Sequence, residues 1–457
     1  MSGSERSDAL VFFGATGDLA YKKIFPALYA MVGRGALDVP IIGVARSGWT
    51  LQQLRERARA SVAEHGALDE TTFDQLAALL RYIDGDYNDR ATFEQIRHAL
   101  DGARRPLHYL AIPPSAFPVV IEHLGATGCS AGARVIVEKP FGRDLASAKQ
   151  LNATLHAAFD ESAVFRIDHY LGKETVQNLM VFRFENTFLE PIWNRQSIAS
   201  VQVTMAESFG VHGRGAFYDE AGAIRDVVEN HMMQILGFLC MEPPIGGYHE
   251  AMRDELVKVF RQVRPLQPDA LVRGQFRGYR DEPGVNPDSN VETFAAMRLQ
   301  LDSWRWAGVP FFLRAGKSLA ESRTEVIVRF HRPPLTSSGQ SNHLRLQFSP
   351  ELQIALGANV KQPGAGMTSV PTELSLVHDP RHGEVTPYER LLGDAMEGDA
   401  TLFARQDAVE ACWSIFDDVL AEPGPVRLYD PGSWGPAESD ALTASVGGWA
   451  ALGGERR

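Results

Sequence analysis

Near its start the chain sets short, continuous apolar runs between longer mixed stretches. Leu10-Val11-Phe12-Phe13, Ile41-Ile42-Gly43-Val44, Leu107 to Ala111 and Arg134 to Val137 each read as a buried strand. The first is followed by a helical stretch from about Asp18 to Met31. Strands apolar on both faces and separated by helices predict a parallel sheet covered on both sides. The expected N-terminal architecture is an α/β, Rossmann-like doubly wound domain.

Beyond about residue 185 the period changes to two. Val201, Val203 and Met205 alternate with Gln202, Thr204 and Ala206, and similar alternation runs through Val326, Val328 and Phe330 and through Leu344, Leu346 and Phe348. Alternation predicts antiparallel strands with one buried face. Helices are expected from about Asp219 to Met241 and through Val409 to Leu420. The second part therefore reads as a C-terminal α+β domain with a large, mostly antiparallel sheet and helices on one side. The expected division is a dinucleotide-binding domain over 1–170 and a substrate-binding and oligomerisation domain over 171–457. Pro-, Gly- and Ser-rich segments at Pro283–Ser289, Pro333–Ser341 and Lys361–Gly366 read as loops.

Charge narrows the ligands. With 57 acidic and 45 basic residues the formal net charge is -12, which argues against a nucleic-acid partner. An anionic ligand then needs a local cationic cluster set against the overall field. Cys129, Cys240 and Cys412 have no paired metal spacing, and no metal site is expected. The polar N-terminus lacks an apolar signal core, and no stretch approaches the length of a membrane helix. A cytoplasmic protein without membrane attachment is the expectation.

The first strand runs into Gly14-Ala15-Thr16-Gly17-Asp18-Leu19-Ala20. Gly14 allows a tight turn, Gly17 lets backbone approach a pyrophosphate, and Asp18 is placed to cap a helix whose amides face that anion. A plain strand-to-helix turn would look similar, but the loop's place after the first strand of a parallel pattern favours a cofactor. Where an NAD-binding fold carries an acidic residue at the end of the second strand, this chain carries Arg46 and Ser47. A guanidinium there suits a 2′-phosphate, which points to NADP.

Three further segments carry chemistry. Glu138-Lys139-Pro140-Phe141-Gly142 puts a lysine at the carboxyl edge of the sheet. Arg166-Ile167-Asp168-His169-Tyr170-Leu171-Gly172-Lys173-Glu174 gathers an acid, an imidazole, a phenol and an amine within six residues. The third, Asp226 to His231, lies on the long helix, where His231 shares an apolar stripe with Ile224, Val227, Val228 and Ile235. Taken singly, His231 reads as a core histidine and Asp168 to Lys173 as a solvated loop.

Together with Glu207-Ser-Phe-Gly and the Leu-Arg-Ala-Gly-Lys run ending at Lys317, these motifs resemble the glucose-6-phosphate dehydrogenase family, in the same order over residues 14 to 317. The resemblance implies oxidation of a sugar phosphate at C1. It makes His231 the general base, with Asp168 orienting its ring. It gives His169, Tyr170 and Lys173 the phosphate, Lys317 a further substrate contact, and Glu207 and Asp226 the sugar hydroxyls. Lys139 would serve both substrate and cofactor. Gly14, Ala15, Thr16, Gly17, Asp18, Leu19 and Arg46 would hold NADP, with NAD left open as a second cofactor. Arg314 would line the same pocket. A homodimer or homotetramer is implied as well. Three positions depart from the pattern: Tyr21 and Ser322 stand where basic residues are common, with Arg323 adjacent as a candidate replacement, and Ser349 stands where glutamine is frequent. Two other readings stay open: a related oxidoreductase for a different sugar, and a catalytically silent NADP-binding protein.

Overall fold

The computed structural model describes residues 6–246, 249–335, 341–364, 366–378 and 385–452. They form two units. One comprises Met1–Glu174, Pro244–Asp254 and Gly383–Glu410; the other comprises Thr175–Pro243, Glu255–His382 and Ala411–Arg457. The sequence reading drew one boundary near residue 170, whereas the chain returns to the first unit twice.

The first unit is built on β1 (Ala9–Phe13), β2 (Ile41–Ala45), β3 (Leu80–Asp84), β4 (Pro106–Leu110), β5 (Arg134–Glu138) and β6 (Val164–Ile167). Their order is β6-β5-β4-β1-β2-β3, all parallel, and a short antiparallel strand, Phe403–Ala404, adds to the β6 edge. This is the doubly wound order, and its direction reverses between β1 and β4, where such folds open a ligand crevice at the carboxyl ends of the strands. β1, β2 and β4 are buried along their whole length, as continuous apolar runs require. β3 escaped the sequence reading because only Leu80 and Ile83 are buried in it, so it has no apolar run. The helix expected from Asp18 begins there, widens to a π-type turn over Ala20–Ile24 and continues through Phe25–Gly33.

The second unit carries β7 (Ile198–Ala206), β8 (Leu271–Phe276), β9 (Phe294–Leu299), β10 (Phe311–Gly316), β11 (Arg323–Phe330), β12 (His343–Ser349), β13 (Leu352–Lys361) and β14 (Ser369–His378). They lie in the order β14-β13-β12-β11-β7-β10-β9-β8, with Val426–Tyr429 beyond β8. Pairing is antiparallel except between β7 and β10 and between β8 and Val426–Tyr429.

One expectation fails at the sheet's centre, where both faces of β7 are covered. Gln202 and Thr204 are as buried as Val201 and Val203. The reason is a C-terminal segment laid over the polar face. Gln202 Nε2 donates to Gly448 O at 3.0 Å, and Ala450 N donates to Gln202 Oε1 at 2.7 Å. Arg314, on the neighbouring β10, lies under the rings of Trp434 and Trp449 at 4.9 and 4.5 Å.

The long helix is not continuous. A helical stretch over Gly215–Ala223 breaks at Gly222 (φ 67°, ψ 177°), where any Cβ would stand 2.5 Å from Glu292 Oε1. The chain then runs as a π-type helix over Ile224–Met232 and an α-helix over Met233–Cys240. The helix expected through Val409–Leu420 spans Gln406–Ala421. Pro283–Ser289 is a loop with two turns, while 336–340 and 365, within the other two expected loops, lie outside the described residues.

Candidate active site

In the first unit the chain turns at Gly14, whose φ is +82°; a Cβ there would lie 2.2 Å from Ala111 O, so only glycine fits. Gly14 N donates to Val44 O and the Tyr87 hydroxyl, both at 2.9 Å. Gly17 N closes the turn on Gly14 O at 2.9 Å. Ala15 is buried beneath the loop, and Thr16 Oγ1 sits 2.7 Å from Ser47 Oγ, which ties the loop to the end of β2. The expected cap does not form. Asp18 and Leu19 already lie within the helix, and the Asp18 carboxylate lies 3.3 Å from Lys22 Nζ, one turn further on. The helix starts at Asp18 as expected, so Asp18 is its first residue rather than its cap. The loop nonetheless fits a dinucleotide: a glycine-only turn at the switch point leads into a helix N-terminus.

Arg46 projects from the end of β2, largely exposed, and its Nη1 donates to Asp86 Oδ2 at 2.6 Å. Asp86 accepts from Asn88 N and Asn88 Nδ2 at 3.0 and 2.9 Å. These Asn88 donors and the Arg46 guanidinium hold its carboxyl down at about 2. Ser47 N and Gly48 N donate to Asp84 Oδ1 at 3.0 and 2.8 Å.

Lys139 and Asp168 follow directly on β5 and β6, at the carboxyl edge of the same sheet. Asp168 is buried, and its Oδ1 accepts from Tyr170 N at 3.0 Å. Turns close from Leu171 N to Asp168 O and from Lys173 N to Tyr170 O. Gly172 lets the turn pass close to the returning segment, since a Cβ there would stand 2.8 Å from Pro387 O. The turn brings Lys173 Nζ to 3.5 Å from the centre of the Tyr170 ring, with His169 at 5.2 Å between ring centres. His169 also stacks on Tyr388 at 6.3 Å. Arg166 of the same motif is scaffold: it is buried, bridging Glu161 and Asn152.

Sequence reasoning missed one group here. Glu138 accepts from the Tyr109 hydroxyl at 2.5 Å and also bonds Tyr388. Burial pushes its carboxyl up to about 7, against the Tyr109 hydrogen bond and the Lys139 charge; the charge of Asp168 adds to the rise. Tyr109 lies 29 residues before Glu138 and Tyr388 far beyond it, so no local pattern announced the cluster.

In the second unit Glu207 follows β7 and Lys317 follows β10, which pair in parallel, so both side chains leave the same sheet end. Lys317 Nζ pairs with Glu207 and lies 4.0 Å from Asp226 Oδ2. It is flanked by the rings of Phe209 and Tyr218 at 5.3 and 5.4 Å. The Tyr429 hydroxyl donates to Lys317 O at 2.6 Å and fixes the backbone. Asp226 and His231 both lie on the π-type stretch, a helix widening often found at functional sites. His231 is buried, and its main-chain N–H donates to Asn230 Oδ1 at 2.7 Å.

Two readings of single residues are corrected. Arg323 does not stand in for the missing base at 322. Arg323 opens β11 and turns to Gln347 and Glu321 (Nε to Oε1 2.9 Å), while Ser322, just before the strand, accepts at Oγ from Ser208 N at 2.9 Å. Arg314 is committed to the tryptophan rings over the sheet, where burial lowers its guanidinium to about 10. Tyr21 carries no charge to replace the common base: its hydroxyl donates to Glu64 Oε2 at 2.5 Å.

Comparison with known proteins bears on the whole chain. Residues 11–178 match the family model "Glucose-6-phosphate dehydrogenase, NAD binding domain", and residues 180–450 match "Glucose-6-phosphate dehydrogenase, C-terminal domain". Glucose-6-phosphate 1-dehydrogenase 1 of Mycobacterium tuberculosis is 42% identical over 456 residues, covering 98% of this chain and 97% of its own. The cytoplasmic glucose-6-phosphate 1-dehydrogenase 5 of Arabidopsis thaliana is 39% identical, covering 96% and 91%. Among solved structures, glucose-6-phosphate 1-dehydrogenase of Mycobacterium avium superposes with a TM-score of 0.92 at 43% identity, covering 98% of this chain and 99% of that one. A glucose-6-phosphate dehydrogenase in complex with its substrate glucose-6-phosphate superposes with a TM-score of 0.90 at 35% identity, with the same coverage.

Proposed function

The chain belongs to the glucose-6-phosphate dehydrogenase family, and we propose that its loop, cationic turn and buried helix divide the labour of that reaction as follows. The enzyme oxidises D-glucose 6-phosphate at C1 to 6-phospho-D-glucono-1,5-lactone, the first step of the oxidative pentose phosphate pathway. A nicotinamide dinucleotide, when bound, supplies the hydride acceptor.

That dinucleotide is NADP, held along Gly14, Ala15, Thr16, Gly17, Asp18 and Leu19, with Arg46 on its 2′-phosphate and Lys139 at the boundary with the substrate. NAD is the weaker alternative. His169, Tyr170 and Lys173 take the substrate phosphate, a dianion that needs several donors in an acidic chain. Lys317, Glu207 and Asp226 orient the sugar hydroxyls. His231 accepts the C1 hydroxyl proton, and Asp168 orients its ring and stabilises the imidazolium.

The observation that carries the substrate reading is the turn after β6, where Lys173 Nζ, the Tyr170 ring and the His169 ring gather within about one side-chain diameter of each other. An uncharged sugar has no use for that cluster. The test is reduced-nicotinamide absorbance with glucose 6-phosphate or free glucose, and with NADP or NAD. Comparable kcat/KM for the two sugars would overturn the phosphate assignment.

The protein works as a homodimer or homotetramer in the cytoplasm. Leu356, Leu374 and Leu376 support assembly: they stand exposed on paired β13 and β14, and a second copy would cover them. The cytoplasmic reading is supported by three buried cysteines that form no disulfide among the described residues. Among the described residues no helix is long and apolar enough to cross a membrane.

A further inference from the structure

The cation that reads the 2′-phosphate already has an anionic partner. Arg46 Nη1 donates to Asp86 Oδ2 at 2.6 Å, the arginine side chain being 71% exposed and the aspartate 37%. The two partners differ in rigidity. Arg46 is a long side chain at a strand end. Asp86 is fixed on several sides: its Oδ1 accepts from Asn88 N and Asn88 Nδ2, and its main-chain oxygen accepts from Asp89 N at 3.1 Å and Thr92 Oγ1 at 2.8 Å. A carboxylate is therefore built into the turn after β3, and the guanidinium is drawn to it. A second carboxylate, Asp84, accepts the amides of Ser47 and Gly48, which lie next to Arg46 in the same loop.

We propose that Asp86 is a specificity-determining residue of the cofactor site: its carboxylate holds the Arg46 guanidinium and repels a 2′-phosphate, lowering the chain's preference for NADP over NAD. The proposal rests on the reading of Arg46 given above. A phosphate taking the free edge of the guanidinium would stand roughly 6 Å from Asp86, given ordinary charge-assisted bond lengths on either side. At that distance a dianion and a monoanion repel weakly through water, and salt weakens this further. NAD, without the 2′-phosphate, meets neither the attraction nor the repulsion. Asp86 thus acts only on the difference between the cofactors, and by about three- to tenfold.

The test uses the full-length protein and two fragments, 2′,5′-ADP and 5′-AMP, with binding measured by calorimetry, alongside the ratio of kcat/KM for NADP and NAD. Asp86→Asn keeps a side chain able to form the Asn88 turn while removing the charge; Asp86→Ser is a second neutral variant. Both should raise the 2′,5′-ADP to 5′-AMP affinity ratio about three- to tenfold at low salt, with the gain shrinking at about 0.5 M salt. Arg46→Ala should lower the same ratio. If Arg46→Ala lowers the ratio but both Asp86 variants leave or lower it, the Asp86 proposal is overturned and the Arg46 reading stands. If Arg46→Ala leaves the ratio unaltered, the Arg46 reading falls and takes the proposal with it.

Discussion

The Tyr109 hydroxyl donates to Glu138 Oε1 at 2.5 Å, so a carboxyl group is secured at the carboxyl end of β5, one residue before Lys139. Burial raises that carboxyl from 4.5 to about 7. The folded chain therefore holds this proton more tightly than the unfolded one. The stabilisation it brings is whole below about pH 4.5 and is lost as pH climbs through about 7. Glu138→Gln, which can still accept from Tyr109, should be less stable than or equal to the parent at pH 5 and gain on it by roughly 1–3 kcal/mol at pH 8. Denaturant unfolding at the two pH values measures this, and a pH-independent difference would show that Glu138 titrates normally.

His231 and Asp168 are expected to act on the chemical step. His231→Asn should lower kcat by about 10²–10⁴-fold with little change in KM for glucose 6-phosphate. Asp168→Asn should also slow turnover, and the double variant should lose much less than the product of the two single losses. Steady-state kinetics on folded variants decide it. Near-normal kcat in His231→Asn would return that residue to the role of a core histidine.

Lys173 should show the opposite signature. Removing its ammonium takes away a charge-assisted contact worth about 1.5–3 kcal/mol. Lys173→Ala should therefore raise KM for glucose 6-phosphate by about 10- to 150-fold, while free glucose, lacking the phosphate, should be affected far less. Equal losses on both sugars would mean that Lys173 serves the fold.

Arg314 and Trp449 test the roof over the second sheet. Trp449 lies 4.5 Å from the Arg314 guanidinium, which is buried and on which Trp434 also packs. Trp449→Ala should destabilise the protein by about 2–4 kcal/mol, through lost packing together with the lost ring–cation contact. A urea midpoint equal to the parent's would show that the segment contributes nothing to the sheet.

Charge on the exposed face of β13 and β14 should stop assembly. Leu374→Glu together with Leu376→Glu should give a monomer by light scattering at micromolar concentration, with the secondary structure retained. An unaltered mass would place the subunit contact elsewhere.

Much of this was legible in the chain because the elements concerned have a local signature. β1, β2, β4 and β5 read directly as apolar runs, and the loop from Gly14 to Leu19 announced itself by glycine spacing. The turn from Asp168 to Lys173 did so by its dense chemistry. What was hidden depends on distant partners. Gln202 and Thr204 look solvent-facing until residues some 250 positions later cover them. Glu138 looks like an ordinary acid until Tyr109 and Tyr388 enclose it. The break at Gly222 is dictated by Glu292, which no helical pattern could reveal. Arg323 was misjudged because its guanidinium is taken up by Gln347 and Glu321, which no local pattern shows.

The return of Gly383–Glu410 to the first unit has a consequence for how the molecule is made. The edge of the nucleotide sheet is finished by Phe403–Ala404 on β6, and the acid that clamps Arg166, Glu161, also accepts from Gln406 N at 2.8 Å. A ribosome that has released only the first 170 residues has released a sheet with an open edge. Closure waits until the intervening large sheet has emerged, so the early part of the chain spends most of its synthesis unfinished. Such long-range closure is slow and exposes pairing edges meanwhile. The first unit can therefore be finished only once the segment that carries Phe403–Ala404 has been made.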